Sequence, residues 1–213
     1  MKEKIILIGG GGHCKSCIDI IEAEDKFEIA GIIDVKEKLG QKVLDYEIFA
    51  AEDDLDKLTK EFNYFFITVG SVKSSDKREK IYNKIKKYNV ILPVIISPGA
   101  YVSNRAEIGA GTVIAHGAII NSRVKIGQNC IINTNAVVEH DSVIGSNCHI
   151  STGAVVNGEN VIGNNVFVGS NSVLVQCIKI LDNITIGAGS VVVKSLGKQG
   201  TYVGNPAKVL KNE

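Results

Sequence analysis

The second half of the chain carries an aliphatic residue at every sixth position through seventeen consecutive repeats, from Ile96 to Val192. Four places after these positions the side chain is mostly small, and Gly or Asn often lies between. A six-residue period of this kind is typical of a parallel β-helix, in which each hexad is a short strand followed by a turn. Three hexads would close one coil of a three-sided prism, and coils would stack at the strand spacing of about 4.8 Å.

A change in composition divides the chain near residue 95. The first 95 residues hold 33 charged side chains, and the last 118 hold only 14. The first part has 7 Gly and 3 Asn, whereas the second has 15 Gly and 14 Asn. Because Gly and Asn tolerate positive φ, the second part is built for frequent turns. We therefore expect two domains, 1–95 and 96–213, the second being the β-helix with a C-terminal tail.

The first 95 residues alternate between strand and helix patterns. Strands are predicted at 4–8, 28–33, 64–69 and 90–95, and helices at 13–23, 53–61 and 76–88. This alternation implies a small, parallel, Rossmann-like sheet with a ligand crevice at the carboxyl ends of its strands. The fold class predicted for the whole chain is an α/β sheet domain followed by a β-helix.

Charge and composition exclude several classes of protein. The net charge of +1 leaves no basic surplus for nucleic acid. Apolar runs are far shorter than the roughly 20 residues that a membrane helix needs, so no membrane insertion is expected. The run Ile5–Ile8 is too short for a secretory signal, and five scattered cysteines fit reduced thiols, so we expect a cytoplasmic protein. No residues have metal-ligand spacing, and no metal is expected.

Four glycines, Gly9–Gly12, stand between the first predicted strand and the first predicted helix, and His13 follows them. Such a turn lets backbone N–H groups approach a phosphate at the helix N-terminus. The dinucleotide fingerprint is broken at Cys14, which favours a nucleotide diphosphate over NAD, with a plain tight turn as the alternative. Asp34, at the end of the second strand, is placed where an acidic residue can take a ribose hydroxyl or a base edge. Cys14 and Cys17 have redox-motif spacing but are predicted to be buried helix thiols.

Two histidines occupy the third place of their hexads. His116 and His140 are 24 residues apart, which puts them on different faces of a prism with 18-residue coils. Gly158, one coil above His140, is expected to leave open space above the imidazole where a substrate could enter. Glu139 or Asp141 could orient that imidazole and raise its basicity. The alternative is a surface histidine among polar turn residues.

A third histidine, His149, precedes Ile150 and is expected to lie between Ile131 and Phe167 on the stacked coils. It is half a coil from His140 within one chain. Two prisms packed side by side could bring His140 of one close to His149 of the other.

Three segments together carry a family resemblance: Gly-Gly-Gly-Gly-His-Cys-Lys at 9–15, Val-Val-Glu-His-Asp-Ser-Val-Ile-Gly at 137–145 and Tyr-Val-Gly-Asn-Pro-Ala-Lys at 202–208. With the unbroken hexads, they resemble the sugar acetyltransferases of the left-handed β-helix superfamily. More narrowly, the chain is similar to the nucleotide-linked 4-amino-sugar N-acetyltransferases of the bacillosamine pathway type. Perosamine N-acetyltransferases and sialic acid O-acetyltransferases are relatives of that group.

The resemblance implies a homotrimer with acetyl-CoA bound between adjacent prisms. It implies that His140 is the general base and that Asp141 enhances its basicity. The remaining residues that it implies fall into two groups: Gly11, Gly12, His13, Asp34, Gly70 and Gly158 for the nucleotide sugar, and His149, Ser170 and Ala188 for acetyl-CoA. Val35 stands where a second acidic residue would be expected, which leaves the identity of the nucleotide base open.

The function that this resemblance implies is acetyl-CoA-dependent N-acetylation of the 4-amino group of a nucleotide-linked 4-amino-4,6-dideoxy sugar, with a UDP-linked sugar favoured. Transfer is expected to be direct in a ternary complex, because Cys130 and Cys148 occupy inward positions. A sialic acid O-acetyltransferase, which needs no nucleotide on its acceptor, is the alternative among enzymes. A nucleotide-binding scaffold and a dehydrogenase are more remote alternatives.

Overall fold

A computed structural model of the protein describes residues 2–71 and 75–210. The described chain separates into two compact units, with the division between Ser97 and Pro98. The N-terminal unit is a mixed sheet with helices. The C-terminal unit is the parallel β-helix that the hexads predict, of the left-handed kind that the family resemblance implies. The predicted fold class is confirmed.

The N-terminal unit contains a five-stranded sheet in the order β3-β4-β2-β1-β5. All neighbouring strands are parallel except β3 and β4, which form an antiparallel pair. The elements are β1 (Glu3–Ile8), α1 (Gly12–Glu24), β2 (Phe27–Asp34), β3 (Lys42–Val43), β4 (Tyr46–Ala51), α2 (Leu55–Glu61), β5 (Tyr64–Ile67) and α3 (Asp76–Ile85), with single 3₁₀ turns at Lys36–Lys38 and Glu52–Asp54.

The core of this unit forms where apolar side chains of the sheet meet α2 and α3. Ile6, Phe65 and Ile85 are fully buried members of it. Arg78 of α3 is 1% exposed, and its guanidinium donates to the carbonyl oxygens of Ile67 and Val69 at 2.6 and 2.9 Å. These bonds satisfy the buried charge and tie α3 to the end of β5.

Several predicted boundaries in this unit are wrong. The predicted strand 90–95 is reduced to a single bridge from Ile91 to Tyr64 and a short strand Ile95–Ile96, since Pro93 between them has no N–H to donate. Strands β3 and β4 were not predicted at all. The helix predicted at 53–61 begins as a 3₁₀ turn and becomes α-helical at Leu55, and the helix predicted at 76–88 ends at Ile85.

The C-terminal unit is a prism with three sheets, whose strands are parallel except for the last one. Each strand from Tyr101–Val102 to Val173–Leu174 pairs with the strand eighteen residues further along the chain. The first sheet contains Val113–Ile114, Ile131–Ile132, His149–Ile150, Phe167–Val168, Ile184–Ile186, Gly200–Val203 and Lys208–Val209. The second contains Tyr101–Val102, Ile119–Ile120, Val137–Val138, Val155–Val156, Val173–Leu174 and Val191–Val192. The third contains Glu107–Ile108, Lys125–Ile126, Val143–Ile144, Val161–Ile162 and Lys179–Ile180.

The sixth-position aliphatic residues fill the interior of the prism. From Ile114 to Val192 none of them is more than 4% exposed. Coil stacking also explains a column of glycines, because a Cβ on Gly127 or Gly145 would come within 2.7 or 2.6 Å of the backbone of the next coil. The last strand, Lys208–Val209, runs antiparallel to Gly200–Val203 and ends the first sheet.

Candidate active site

One edge of the prism, where the second sheet turns into the third, presents a histidine–carboxylate pair. The strand Val137–Val138 ends there, and His140 Nδ1 lies 3.0 Å from Asp141 Oδ2. An ionised carboxylate can only accept, so Nδ1 is the donor in this contact, and in the neutral imidazole Nε2 is then the nitrogen with the lone pair. The His140 side chain is 56% exposed. The pair therefore offers an accessible proton acceptor with a fixed tautomer.

The imidazole of His140 lies directly against Gly158. A Cβ placed on Gly158 would come within 2.8 Å of both Cε1 and Nε2 of the ring. The expected open space above His140 is wrong, because the ring itself occupies that space. Gly158 is buried beneath it, and the Glu159 N–H donates to the His140 carbonyl oxygen at 3.0 Å. The absence of a side chain at Gly158 thus determines where the imidazole can lie.

Asp141 binds a second group with its other oxygen. Arg123 Nε lies 3.0 Å from Asp141 Oδ1, so the carboxylate bridges the guanidinium and the imidazole. Glu139, the other acidic neighbour of His140, accepts from Asn121 Nδ2 at 2.8 Å instead. Of the two acidic residues considered, Asp141 is the one bonded to the imidazole.

His149 lies on the first sheet, in register with Ile131 and Phe167 as expected. Its ring meets Phe167 edge to face, with centroids 5.2 Å apart, and its Nε2 accepts from Asn133 Nδ2 at 3.2 Å. The side chain is only 5% exposed. The sequence analysis missed Asn133, which directly follows the neighbouring strand Ile131–Ile132 and stands sixteen residues before His149.

Ser170 and Ala188 occupy equivalent places in successive coils, at the edge where the first sheet turns into the second. The Gly189 N–H donates to the Ser170 carbonyl oxygen at 2.8 Å, which holds the two turns together. Ser170 Oγ lies 3.0 Å from Ser151 Oγ, and Ala188 is exposed. The predicted acetyl-CoA contacts at His149, Ser170 and Ala188 stay predictions.

In the N-terminal unit, the glycine turn connects β1 to α1 as predicted. Gly9 has φ +106, and a Cβ on Gly11 or Gly12 would meet no atom within 4 Å. The backbone at the start of α1 therefore faces open space. A surface cavity here is lined by Gly9, Gly11, Gly12, His13, Asp34, Lys38, Val69, Gly70, Asp76 and Lys77. The pairing of β1 with β2 and β5 thus brings Gly11, Gly12, His13, Asp34 and Gly70 to one cavity.

The Asp34 carboxylate is already engaged by groups of the protein. It accepts from the N–H groups of Gly10 and Val35 and from Lys38 Nζ at 2.7, 2.8 and 2.8 Å, and the residue is 2% exposed. Burial alone would raise the pKa of this carboxyl, but the hydrogen bonds from Lys38, Val35 and Gly10 outweigh it and lower the pKa. Asp34 holds the glycine turn in place, and a direct bond to a ligand stays a prediction.

Four of the five cysteines are buried, and Cys177 is exposed. Burial raises the pKa of Cys14 to about 11 and that of Cys17 to about 12. Burial likewise raises the pKa of Cys148 well above its ordinary value. These thiols are poor nucleophiles at neutral pH.

We expect a thiol reagent such as Ellman's reagent to react rapidly only with Cys177 in the folded protein. The Cys177→Ser variant should show no fast phase, and all remaining thiols should react after denaturation. A fast-reacting thiol in folded Cys177→Ser would contradict the burial of the other four.

Within residues 2–71 and 75–210, no group of three His, Cys, Asp or Glu side chains could hold a metal ion. No helix in the same described ranges is long and apolar enough to cross a membrane.

Comparison with known protein families and structures places this fold among the acetyltransferases. Residues 4–85 match the PglD N-terminal domain, residues 123–158 the bacterial transferase hexapeptide (six repeats), and residues 159–194 the hexapeptide repeat of succinyl-transferase. A comparison with curated protein sequences finds no match.

Solved structures resemble the chain over nearly its full length. PerB from Caulobacter crescentus, in complex with CoA and GDP-perosamine, is 30% identical, with 98% of this chain and 97% of that chain covered and a TM-score of 0.91. The acetyltransferase domain of PglB from Neisseria gonorrhoeae, in complex with acetyl coenzyme A, is 29% identical, with 99% and 100% covered and a TM-score of 0.90. WeeI from Acinetobacter baumannii is 25% identical, with 98% and 100% covered and a TM-score of 0.85. The chain belongs to the hexapeptide-repeat sugar acetyltransferases with a PglD-type N-terminal domain.

Proposed function

We propose that the protein transfers the acetyl group of acetyl-CoA to the 4-amino group of a nucleotide-linked 4-amino-4,6-dideoxy sugar. The observation that carries this proposal is the His140–Asp141 pair, in which an exposed imidazole holds Nδ1 3.0 Å from the carboxylate and thus leaves Nε2 as the nitrogen that can accept a proton. Two relatives support the choice of substrates, since PerB is in complex with CoA and GDP-perosamine and the PglB domain with acetyl coenzyme A.

The reaction requires a base because a sugar amine is largely protonated at neutral pH and cannot attack in that form. His140 Nε2 takes a proton from the amine, and the amine nitrogen then forms a bond to the thioester carbonyl carbon. The carbon–sulfur bond breaks, the departing CoA sulfur receives the proton from the imidazolium, and the nitrogen of the new amide releases its second proton to solvent. Asp141 stabilises the imidazolium that forms in between.

The N-terminal unit has the features of a nucleotide-diphosphate site. The first turn of α1 contains no acidic residue, and the backbone of Gly11 and Gly12 is open to the cavity. Backbone N–H groups at a helix N-terminus attract phosphate oxygens. We assign Gly11, Gly12, His13, Asp34 and Gly70 to this part of the substrate and Gly158 to the sugar near His140.

The experiment that tests the function is release of CoA thiol by the purified protein with UDP-, dTDP- and GDP-linked 4-amino-4,6-dideoxy sugars. The matched controls are the same nucleotide sugars with a 4-hydroxyl group, and free sialic acid. We expect release with an amino sugar and none with its hydroxyl analogue. Release with sialic acid alone, unaffected by added nucleotide, would instead identify an O-acetyltransferase. Because acetyl-CoA is the donor, we place the reaction in the cytoplasm.

We also propose that the protein is a homotrimer, with acetyl-CoA bound between neighbouring prisms. The outward residues of the second sheet support this, since all six are apolar or aromatic: Tyr101, Ile119, Val137, Val155, Val173 and Val191. Tyr101 is 58% exposed and Ile119 is 38% exposed in the single chain. An exposed apolar column of this length is typical of an interface between subunits.

Sedimentation equilibrium at micromolar concentration should give three times the mass of one chain. Val155→Lys should weaken the trimer, because it places a charge in the middle of the apolar column. Val161→Lys, on the third sheet, is the matched control and should leave the mass unchanged. A wild-type protein with the mass of one chain would contradict the proposed assembly.

A further inference from the structure

The three edges of the prism differ in the residues that adopt positive φ. Two edges use only Gly and Asn among the described residues: Gly117, Asn135, Gly153, Asn171 and Gly189 on one, and Gly111, Asn129, Asn147, Asn165 and Asn183 on the other. The edge that carries His140 uses Arg123, Asp141, Glu159 and Cys177, with φ between 59° and 62°. Gly and Asn reach this conformation at the lowest cost, so Arg at such a place needs a compensating role.

The contacts of Arg123 indicate that role. Arg123 lies one coil before Asp141, and the Asp141 N–H donates to the Ser122 carbonyl oxygen at 3.1 Å. This stacking brings Arg123 Nε within 3.0 Å of Asp141 Oδ1, while Oδ2 of the same carboxylate lies 3.0 Å from His140 Nδ1. The Asp141 carboxylate therefore connects the Arg123 guanidinium to the His140 imidazole.

We propose that Arg123 is a positioning residue for acetyl transfer, which rests on the proposed function of His140 as the base. By holding Oδ1, the guanidinium fixes the carboxylate so that Oδ2 faces the imidazole. The Nδ1–H tautomer of His140 is thereby maintained, and Nε2 stays available to the amine. Arg123 acts through Asp141 and does not itself contact the reacting atoms.

Other charged groups share this part of the surface. Arg105, Glu107, Lys125 and Glu159 line the same shallow groove as Arg123 and Asp141. Lys125 pairs with Glu107 at 3.1 Å. Arg105 is one coil before Arg123, and no ion pair of its side chain occurs within the described residues. Arg105 is therefore a matched control for the loss of one positive charge at this edge.

Arg123→Asn is the variant that tests the proposal, because Asn occupies the same turn position on the other two edges and should preserve the backbone. We expect kcat to fall about fivefold with little change in either KM, as an orienting group contributes only part of the rate that general-base catalysis supplies. Arg105→Asn should change kcat less than twofold, and Arg123→Lys should recover most of the lost rate. Equal losses in Arg123→Asn and Arg105→Asn, or no loss in Arg123→Asn, would overturn the proposal.

A double-mutant cycle distinguishes positioning from a general structural effect. If Arg123 acts through Asp141, Arg123→Asn should change kcat less than twofold when Asp141→Asn is already present. A structural role would lower kcat about equally in both backgrounds, and that result would overturn the proposal.

A measurement on the protein without substrates separates this proposal from the proposed function. The ¹⁵N chemical shifts of the His140 ring report which nitrogen carries the hydrogen, whatever reaction the protein catalyses. We expect the Nδ1–H form to dominate in the wild type and in Arg105→Asn, and to lose population in Arg123→Asn. An unchanged tautomer in Arg123→Asn would overturn the role of Arg123 even in a fully active enzyme. A tautomer change in a protein that acetylates no amino sugar would overturn only the proposed function.

Discussion

His140→Ala should lower kcat at least a hundredfold while the fold and the assembly stay intact. The reason is that Nε2 of His140 is the proton acceptor at this edge, and general-base catalysis typically supplies about 10²–10⁴ in rate. The side chain is 56% exposed and does not belong to the interior of the prism, so its removal should have little effect on stability. The measurement is steady-state kinetics with acetyl-CoA and the amino sugar, together with thermal unfolding.

The matched control for this variant is His116→Ala. His116 has the same place in its hexad, on a different edge of the prism, and is also exposed. We expect His116→Ala to keep kcat within about twofold of the wild type, as for surface substitutions outside the catalytic site. Near-normal turnover in His140→Ala would contradict the general-base role.

Gly158→Ala should have the second-largest effect, because the new Cβ would lie 2.8 Å from Cε1 and Nε2 of His140. The His140 side chain is exposed and can move, so we expect its imidazole to shift while the backbone of the coil stays in place. Misplacement of a catalytic group by about 1 Å can cost as much as 10²-fold in rate. We expect kcat to fall at least tenfold, measured under the same assay conditions as for His140→Ala.

Gly197→Ala provides the comparison for Gly158→Ala, since a Cβ on Gly197 would meet no atom within 4 Å. Both variants should unfold within about 4 °C of the wild type, a shift that corresponds to roughly 1–2 kcal/mol in a chain of this size. Kinetics of Gly158→Ala equal to those of Gly197→Ala would show that the ring position over Gly158 is unimportant for turnover.

The β-helix could be predicted from the sequence because its rule is local and repeated. The same six-residue period identifies every interior position from Ile114 to Val192. A weak match at one repeat therefore does not change the interpretation of the whole segment. The 18-residue stacking also follows from that period. It places Gly158 next to His140 and Arg123 next to Asp141 before any coordinates are known.

Side-chain directions within the prism could not be read from the period. Stacking predicted that Gly158 lies above His140, but whether the imidazole covers that glycine depends on a rotamer that sequence spacing does not determine. The 18-residue spacing likewise places Arg123 beside Asp141, but it does not predict the contact between the Arg123 guanidinium and the Asp141 carboxylate. Asn133 was missed for this reason as well, because its bond to His149 runs diagonally between neighbouring strands.

The N-terminal unit was harder to predict because its elements are short and each occurs once. The strand β4 was missed because its residues, Tyr-Glu-Ile-Phe-Ala-Ala, form neither a continuous aliphatic run nor a strict alternation of apolar and polar side chains. The residues around Pro93 are apolar enough for a strand, but the ring removes the N–H that a paired strand must donate. The bond from Gly10 to Asp34 joins residues 24 positions apart and follows only from the pairing of β1 with β2.

The central claim is that the acetyl group is transferred to the nitrogen at position 4 of a nucleotide-linked sugar. The most direct measurement is NMR of the product formed from [carbonyl-¹³C]acetyl-CoA and the best acceptor of the nucleotide-sugar panel. We predict a correlation between the labelled carbonyl carbon and an amide proton that couples to H4 of the sugar, with one CoA thiol released for each amide formed. A label in an ester on a sugar hydroxyl, or CoA release without any acetylated sugar, would contradict the account.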